Sequence, residues 1–263
     1  MDLKLEGKIA MVAAASRGLG LGIARELARE GAVVSIASRD AVAIEKTAEE
    51  LRTTLGARVL ACAMDAGVEA AINDWFRRTI AEFGGVDILV TNAGGPPAGF
   101  FDNFDDADWQ SAYTINLLGT IRMIRNALPS MRQRGGGSIL AVTSCSVKEP
   151  MDRLILSNVM RSGVTSLVKT LSLQLAPDGI RVNNIMPGRI DTDRIRSLDA
   201  MRAEQTGTAE ELCRAEEMLK IPLRRYGTTE EFGRAAAFLL SDAASYITGT
   251  SLALDGGALK TVW

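Results

Sequence analysis

From Ile9 to about Leu254, short runs of β-forming apolar residues alternate with longer stretches whose apolar positions recur at helical spacing. The runs Ile9–Ala14, Ala32–Ala37, Arg58–Ala63, Asp87–Thr91, Ser138–Thr143, Arg181–Met186 and Ser251–Leu254 read as strands. Most are continuously apolar, which suits strands covered on both faces rather than on one. The pattern predicts an α/β protein: a doubly wound parallel sheet of about seven strands with helices on both faces.

The intervening helices carry ordinary stop signals. Gly18 to Glu30 ends at Gly31, Asp105 to Arg134 ends in Gly135-Gly136-Gly137, and Leu154 to Ala176 ends at Pro177-Asp178-Gly179. No internal repeat or low-complexity linker divides the chain, so residues 1–263 are expected to form one domain. The stretch from Asp193 to Tyr226 is charged, helical in its middle, and lies between Pro187-Gly188 and Pro222; it reads as a mobile flap over a site.

Composition narrows the chemistry. With 47% hydrophobic and 24% charged residues the chain can bury a full core, which excludes disorder, collagen and a disulfide scaffold. Thirty basic against 32 acidic residues leave a formal charge of −2, so neither nucleic acid nor an anionic membrane is an expected partner. The absence of histidine removes Ser-His-Asp and Cys-His nucleophile activation and all imidazole metal ligation; no metal site is expected. Cys62, Cys145 and Cys213 are odd in number and unpaired in spacing, which fits a reducing, cytoplasmic location. Charges occupy the first residues where a signal peptide would be apolar, and no run approaches the ~18 apolar residues of a membrane span.

After the first strand comes Ala13-Ala14-Ala15-Ser16-Arg17-Gly18-Leu19-Gly20, opening into a helix. Such a turn presents backbone N–H groups and the positive end of a helix dipole to a pyrophosphate. Asn92-Ala93-Gly94 follows the fourth strand, Pro187-Gly188 the sixth and Asp255-Gly256-Gly257 the last. Over nearly its whole length the chain therefore resembles the short-chain dehydrogenase/reductase family, and 3-oxoacyl-[acyl-carrier-protein] reductases in particular. The resemblance implies a Rossmann-like domain binding a nicotinamide dinucleotide through Ser16, Arg17, Gly18, Leu19 and Gly20, with Asp65 and Ala66 at the adenine. Asn92, Ala93 and Gly94 would line the adenosine side, and Pro187, Gly188, Ile190 and Thr192 would also meet the cofactor. That family's turn reads Gly-x-x-x-Gly-x-Gly, and here Ala14 replaces the first glycine. An ordinary φ at Ala14 would leave the cradle intact; a positive one would cost about 1 kcal/mol.

The second strand ends Ser35-Ile36-Ala37-Ser38-Arg39, with no acid to accept from the adenosine ribose. Arg39 and Arg17 instead bring guanidinium groups to where a 2′-phosphate would lie, which points to NADP(H) over NAD(H).

In relatives that reduce carbonyls, a Ser holds the substrate oxygen and a Tyr delivers the proton. A Lys four residues later lowers the Tyr pKa and grips the ribose, and an Asn completes the set. The resemblance assigns Asn116 and Ser144 to two of these roles, but aligns Ser157 with the tyrosine and Arg161 with the lysine. A serine hydroxyl is a far weaker acid than a phenol of pKa about 10, and a guanidinium anchors without relaying protons. Lys148 is the candidate substitute acid, against a reading as a solvated lysine paired with Glu149. Cys145, beside Ser144, reads as packing. Lys148, Arg153, Arg161, Arg189 and Arg194 form a candidate rim for an anionic small-molecule substrate.

Two readings of the function stand. One is an NADP(H)-binding oxidoreductase acting on an unknown carbonyl or alcohol without the Tyr-x-x-x-Lys pair; the other is a catalytically weak or silent nucleotide-binding protein with a sensing or partner role. A third, a lyase or dehalogenase that abandons the nucleotide, ranks behind both because known versions keep the tyrosine. The resemblance, with the apolar segment from Leu252 to Trp263, implies a homotetramer or homodimer.

Overall fold

In the computed structural model, which describes residues 2–262, seven strands form one sheet. They are β1 (Ile9–Ala13), β2 (Val33–Ser38), β3 (Val59–Ala63), β4 (Ile88–Thr91), β5 (Gly137–Val142), β6 (Ile180–Pro187) and β7 (Ser251–Leu254). All pairs are parallel, in the order β3-β2-β1-β4-β5-β6-β7. The chain winds outward from β1 to β3, returns to β4 on the other side of β1, and winds outward again. Loops leaving β1 and β4 therefore diverge, which opens a crevice at the carboxyl ends of the strands.

The helices are α1 (Gly18–Arg29), α2 (Ala41–Leu55), α3 (Glu69–Phe83), α4 (Asp106–Ala112), α5 (Gly119–Gln133), α6 (Ile155–Leu175), α7 (Asp193–Thr206), α8 (Glu210–Lys220) and α9 (Thr229–Leu240). β1, β2 and β4 are buried at every position, which explains their predominantly apolar sequences. On one face Leu27, Ile36, Val90 and Phe232 belong to one core; on the other Trp75, Met123, Ile139 and Val164 form the second. α1 and α9 touch almost backbone to backbone: a Cβ on Gly22 would lie 2.4 Å from the Thr229 carbonyl oxygen, and one on Gly233 2.3 Å from that of Gly22. No larger residue fits either position without parting the helices.

The strands match the sequence expectation to within one or two residues, but two helical segments differ. Where apolar periodicity predicts one helix from Asp105 to Arg134, the structure has α4, a π-helical segment over Tyr113–Leu118, and α5. The π segment adds a residue to the turn without disturbing the apolar face, so hydrophobic spacing cannot reveal it. Within 193–226 the structure has two helices rather than one helical middle, α7 closing at Gly207 with φ +64°.

Charge pairs fasten this helical pair to the body. Arg189, in the loop after β6, gives Nη1 to Asp199 and Nη2 to Glu217, each at 2.8 Å. Tyr226 donates its hydroxyl to the other oxygen of Asp199 at 2.9 Å, and the Arg214 guanidinium lies 4.4 Å from the centre of the Tyr226 ring. Among the described residues no helix is long and apolar enough to cross a membrane.

Candidate active site

A cleft of ≈1190 Å³ follows the carboxyl ends of β1 to β6 and is roofed by the start of α7. Its lining includes Ala14, Ser16, Arg17, Gly18 and Leu19 from the first turn, Arg39 after β2, and Asp65 and Ala66 after β3. Asn92, Ala93 and Gly94 follow from β4, Asn116 from the π segment, Ser144 after β5, Ser157 and Arg161 from α6, and Pro187, Gly188, Ile190 and Thr192 after β6. The sequence-assigned cofactor and catalytic residues thus converge from eight segments of chain, with Gly20 and Lys148 as the exceptions.

Gly20 stands behind the cradle. A Cβ there would lie 2.3 Å from the Ala14 carbonyl oxygen, so its glycine permits the turn to close on itself. Ala14 has φ +51°, in the left-handed region, and not the ordinary backbone conformation that would spare it strain. The turn keeps its shape with an alanine held where glycine is favoured by about 1 kcal/mol.

At the start of α1, Arg17 is the N-cap residue with extended backbone, and no side chain caps the helix. The first turn carries no acid, so its N–H groups and positive dipole face the cleft uncompensated by side chains. These features fit a pyrophosphate. Nearby, Asp40 directs one carboxylate oxygen to the backbone N–H groups of Val42 and Ala43, 3.0 Å each, and so caps α2. The acid closest to the β2 end is thereby committed, while Arg39 lies exposed on the lining. Arg17 pairs weakly with Asp193 at 3.4 Å, both side chains being largely solvated.

The loop after β4 forms the floor between the halves of the cleft, and three side chains from separate elements hold it. Arg161 donates from Nη2 to the Ala93 carbonyl at 2.9 Å, Asn116 from Nδ2 to that of Gly94 at 2.8 Å, and Arg194 from Nη2 to that of Pro96 at 2.9 Å. Arg161 also donates from Nη1 to the Val142 carbonyl at 2.9 Å, joining β5 to the same loop. It is 5% exposed, and burial pulls its guanidinium pKa down to about 10, so it remains charged at neutral pH. The Ser144 hydroxyl accepts from the Ser146 N–H at 3.1 Å.

Among the described residues no tyrosine lines the cleft. Tyr113 and Tyr246 are exposed, and Tyr226 is buried beneath the helical pair, where burial and then its bond to Asp199 push the phenol up to about 12. Lys148 lies outside the lining and, among the described residues, forms no ion pair, while the Glu149 carboxylate accepts from the Lys260 N–H at 3.4 Å. The anionic rim expected from sequence is also reduced. Arg189 is bound to Asp199 and Glu217, while Arg153 donates to Gln205 at 2.7 Å and lies over the Phe100 ring, which leaves Arg161 and Arg194 on the lining. Cys145 donates to the Met186 carbonyl at 3.4 Å, and burial drives its thiol up to about 12, a packing environment.

Sequence reasoning missed the hydroxyls of Ser111 and Ser197, which line the cleft from α4 and α7, and it did not foresee that Asp193 would reach the first turn. None belongs to a motif; only the three-dimensional roofing by α7 brings Ser197 and Asp193 in.

The family model described as Enoyl-(Acyl carrier protein) reductase matches residues 13–258. Among curated proteins, Dehydrogenase/reductase SDR family member 4 of Sus scrofa is 36% identical over 96% of this chain and 88% of its own length. The 3-oxoacyl-[acyl-carrier-protein] reductase FabG of Aquifex aeolicus is 31% identical over 98% of this chain and 99% of its own. Among solved structures, the L-sorbose reductase of Gluconobacter frateurii complexed with NADPH and L-sorbose aligns with a TM-score of 0.95 and 31% identity over 100% of both chains. A 7α-hydroxysteroid dehydrogenase complexed with NADH and 7-oxo glycochenodeoxycholic acid aligns at 0.90 and 32%, over 100% of this chain and 98% of the other.

Proposed function

The chain belongs to the short-chain dehydrogenase/reductase family, and from that premise we propose that it is an NADP(H)-binding oxidoreductase acting on a small carbonyl or alcohol without a phenolic proton donor. The observation that carries this reading is the composition of the cleft, which keeps the uncapped α1 terminus and the strand-end residues and is lined by Ser157 and Arg161, the residues that the resemblance aligns with the tyrosine and lysine of carbonyl-reducing members. When bound, the nicotinamide group supplies or accepts hydride. The chain's own residues hold and orient: the α1 turn for pyrophosphate, Arg17 and Arg39 for a 2′-phosphate, and Ser144 and Asn116 around the reacting oxygen. The commitment of Asp40 to capping α2 supports NADP(H) over NAD(H). The substrate carries an anionic group. The half-buried β7 and the segment after it supply the surface for a homotetramer or homodimer. Three buried free thiols accord with a cytoplasmic location.

The test is fluorescence titration with NADPH and NADH, followed by single-turnover oxidation of bound NADPH over a panel of aldehydes, ketones and quinones. Tighter NADPH binding and slow turnover are expected; equal or tighter NADH binding rejects the cofactor assignment. The second reading, a silent nucleotide-binding protein, draws support from Arg161, two of whose donors are spent on carbonyls, and predicts binding with no turnover on any substrate.

A further inference from the structure

Arg161 is a buried cation without an anion. It is 5% exposed, its two recorded hydrogen bonds go to neutral carbonyls, and among the described residues no carboxylate lies within ion-pair distance. Buried charges in proteins are nearly always paired, because an isolated one forfeits its hydration without recompense. A guanidinium has five N–H donors, so the two carbonyls leave donors unspent, and Arg161 borders the cleft.

The acids on the same lining are already committed. Asp40 caps α2, Asp65 accepts from the Gly67 N–H at 2.8 Å, and Asp193 faces Arg17 and Arg196. Arg194, another guanidinium of the lining, likewise bonds a carbonyl and has no carboxylate partner among the described residues. Ser157 precedes Arg161 by one turn on the same face of α6, and Ser144 lies two residues beyond the Val142 carbonyl that Arg161 holds. Both charge and dipole are positive here, because Ser157 and Arg161 occupy the first two turns of α6.

We propose that Arg161 receives the carboxylate of a short 2-oxo or 2-hydroxy acid, whose neighbouring oxygen lies among the Ser144 and Ser157 hydroxyls. Planar guanidinium edges suit a planar carboxylate, and hydroxyls donate to a carbonyl or accept from an alcohol equally well. A neutral ribose hydroxyl would bond Arg161 but leave its charge unbalanced. This assignment rests on reading the cleft as the substrate site and specifies what the anionic group is and which residue holds it.

The experiment uses nucleotide-free protein, so that failure to bind NADP(H) and failure of this assignment are separate results. Pyruvate, lactate, lactamide and inorganic phosphate are titrated at constant ionic strength by calorimetry and thermal shift. Pyruvate and lactate are expected to bind at least about tenfold more tightly than lactamide, the discrimination a charge-assisted hydrogen bond supplies. Arg161→Gln should abolish that preference, and Arg194→Gln should reduce it several-fold. Equal binding of lactate and lactamide, no binding of either acid, or phosphate binding as tightly as lactate would overturn the proposal; these comparisons need no variant and stand even if Arg161→Gln fails to fold.

Discussion

Arg161 and Ala93 are joined by a 2.9 Å hydrogen bond that runs from the second turn of α6 to the loop that floors the cleft. With the companion bond to Val142 it makes Arg161 a strut as well as a charge. Replacing it with methionine removes a costly buried charge but strands two carbonyls. The net expectation for Arg161→Met is a loss of about 1–3 kcal/mol, read from the urea midpoint at unchanged slope.

Ala14 offers a gain. With φ at +51° its methyl group opposes the local backbone, and Ala14→Gly relieves that opposition. Stability should rise by about 0.5–1 kcal/mol after the added freedom of glycine in the unfolded chain is offset. A fall in the thermal midpoint would refute the claim of strain.

Placing a phenol in the cleft tests whether a proton donor is all that the proposed reaction lacks. The double substitution Ser157→Tyr with Arg161→Lys should raise single-turnover carbonyl reduction by a factor of about 10² to 10⁴. No increase, with nucleotide binding retained, would mean that the cleft no longer accepts simple carbonyl compounds.

Beneath the helical pair, Tyr226 donates to a carboxylate that is 1% exposed. Tyr226→Phe leaves Asp199 with Arg189 as its remaining recorded partner and should cost about 1–2 kcal/mol, with faster amide exchange across α7 and α8 than across α1. Uniform acceleration over the whole chain would argue against a local fastening.

Glu231 ties pH to the start of α9. Its carboxylate accepts from Arg225 and from the Thr228 N–H, and these bonds, Arg225 first, lower its pKa from 4.5 to about 2. A depressed acid stabilises fully above its unfolded value and loses that contribution as pH falls through the folded one. The acid-unfolding curve of Glu231→Gln should therefore be shallower than that of the parent between pH 4.5 and about 2, with the two converging in their pH dependence above that window.

Most of the fold was legible because continuously apolar strands and glycine-marked helix ends are local properties of the chain. The place of Ser144 and the first turn on the cleft was legible for the same reason, from a strand end and a helix start, whereas Asn116 was reached through the resemblance alone. What eluded the sequence was cooperative. Arg189 and Arg194 lie five residues apart in one charged stretch, yet Arg189 is consumed by Asp199 and Glu217 while Arg194 faces the cleft. That division depends on how α7 and α8 fold back. The conformation of Ala14 was hidden for a related reason: its carbonyl is pressed against Gly20, and the turn imposes a φ that alanine alone would avoid.

The π-helical turn at Tyr113–Leu118 gives Asn116 its address. A helix with one residue too many is a counting device: delete a single residue from this stretch and it relaxes into an ordinary spiral whose flanks keep their faces, while the widened turn that aims Asn116 disappears. The amide would then face away from Gly94, and the loop would lose its central tether. Insertions and deletions here should be far less tolerable than substitutions, because the chain is measuring length rather than reading chemistry.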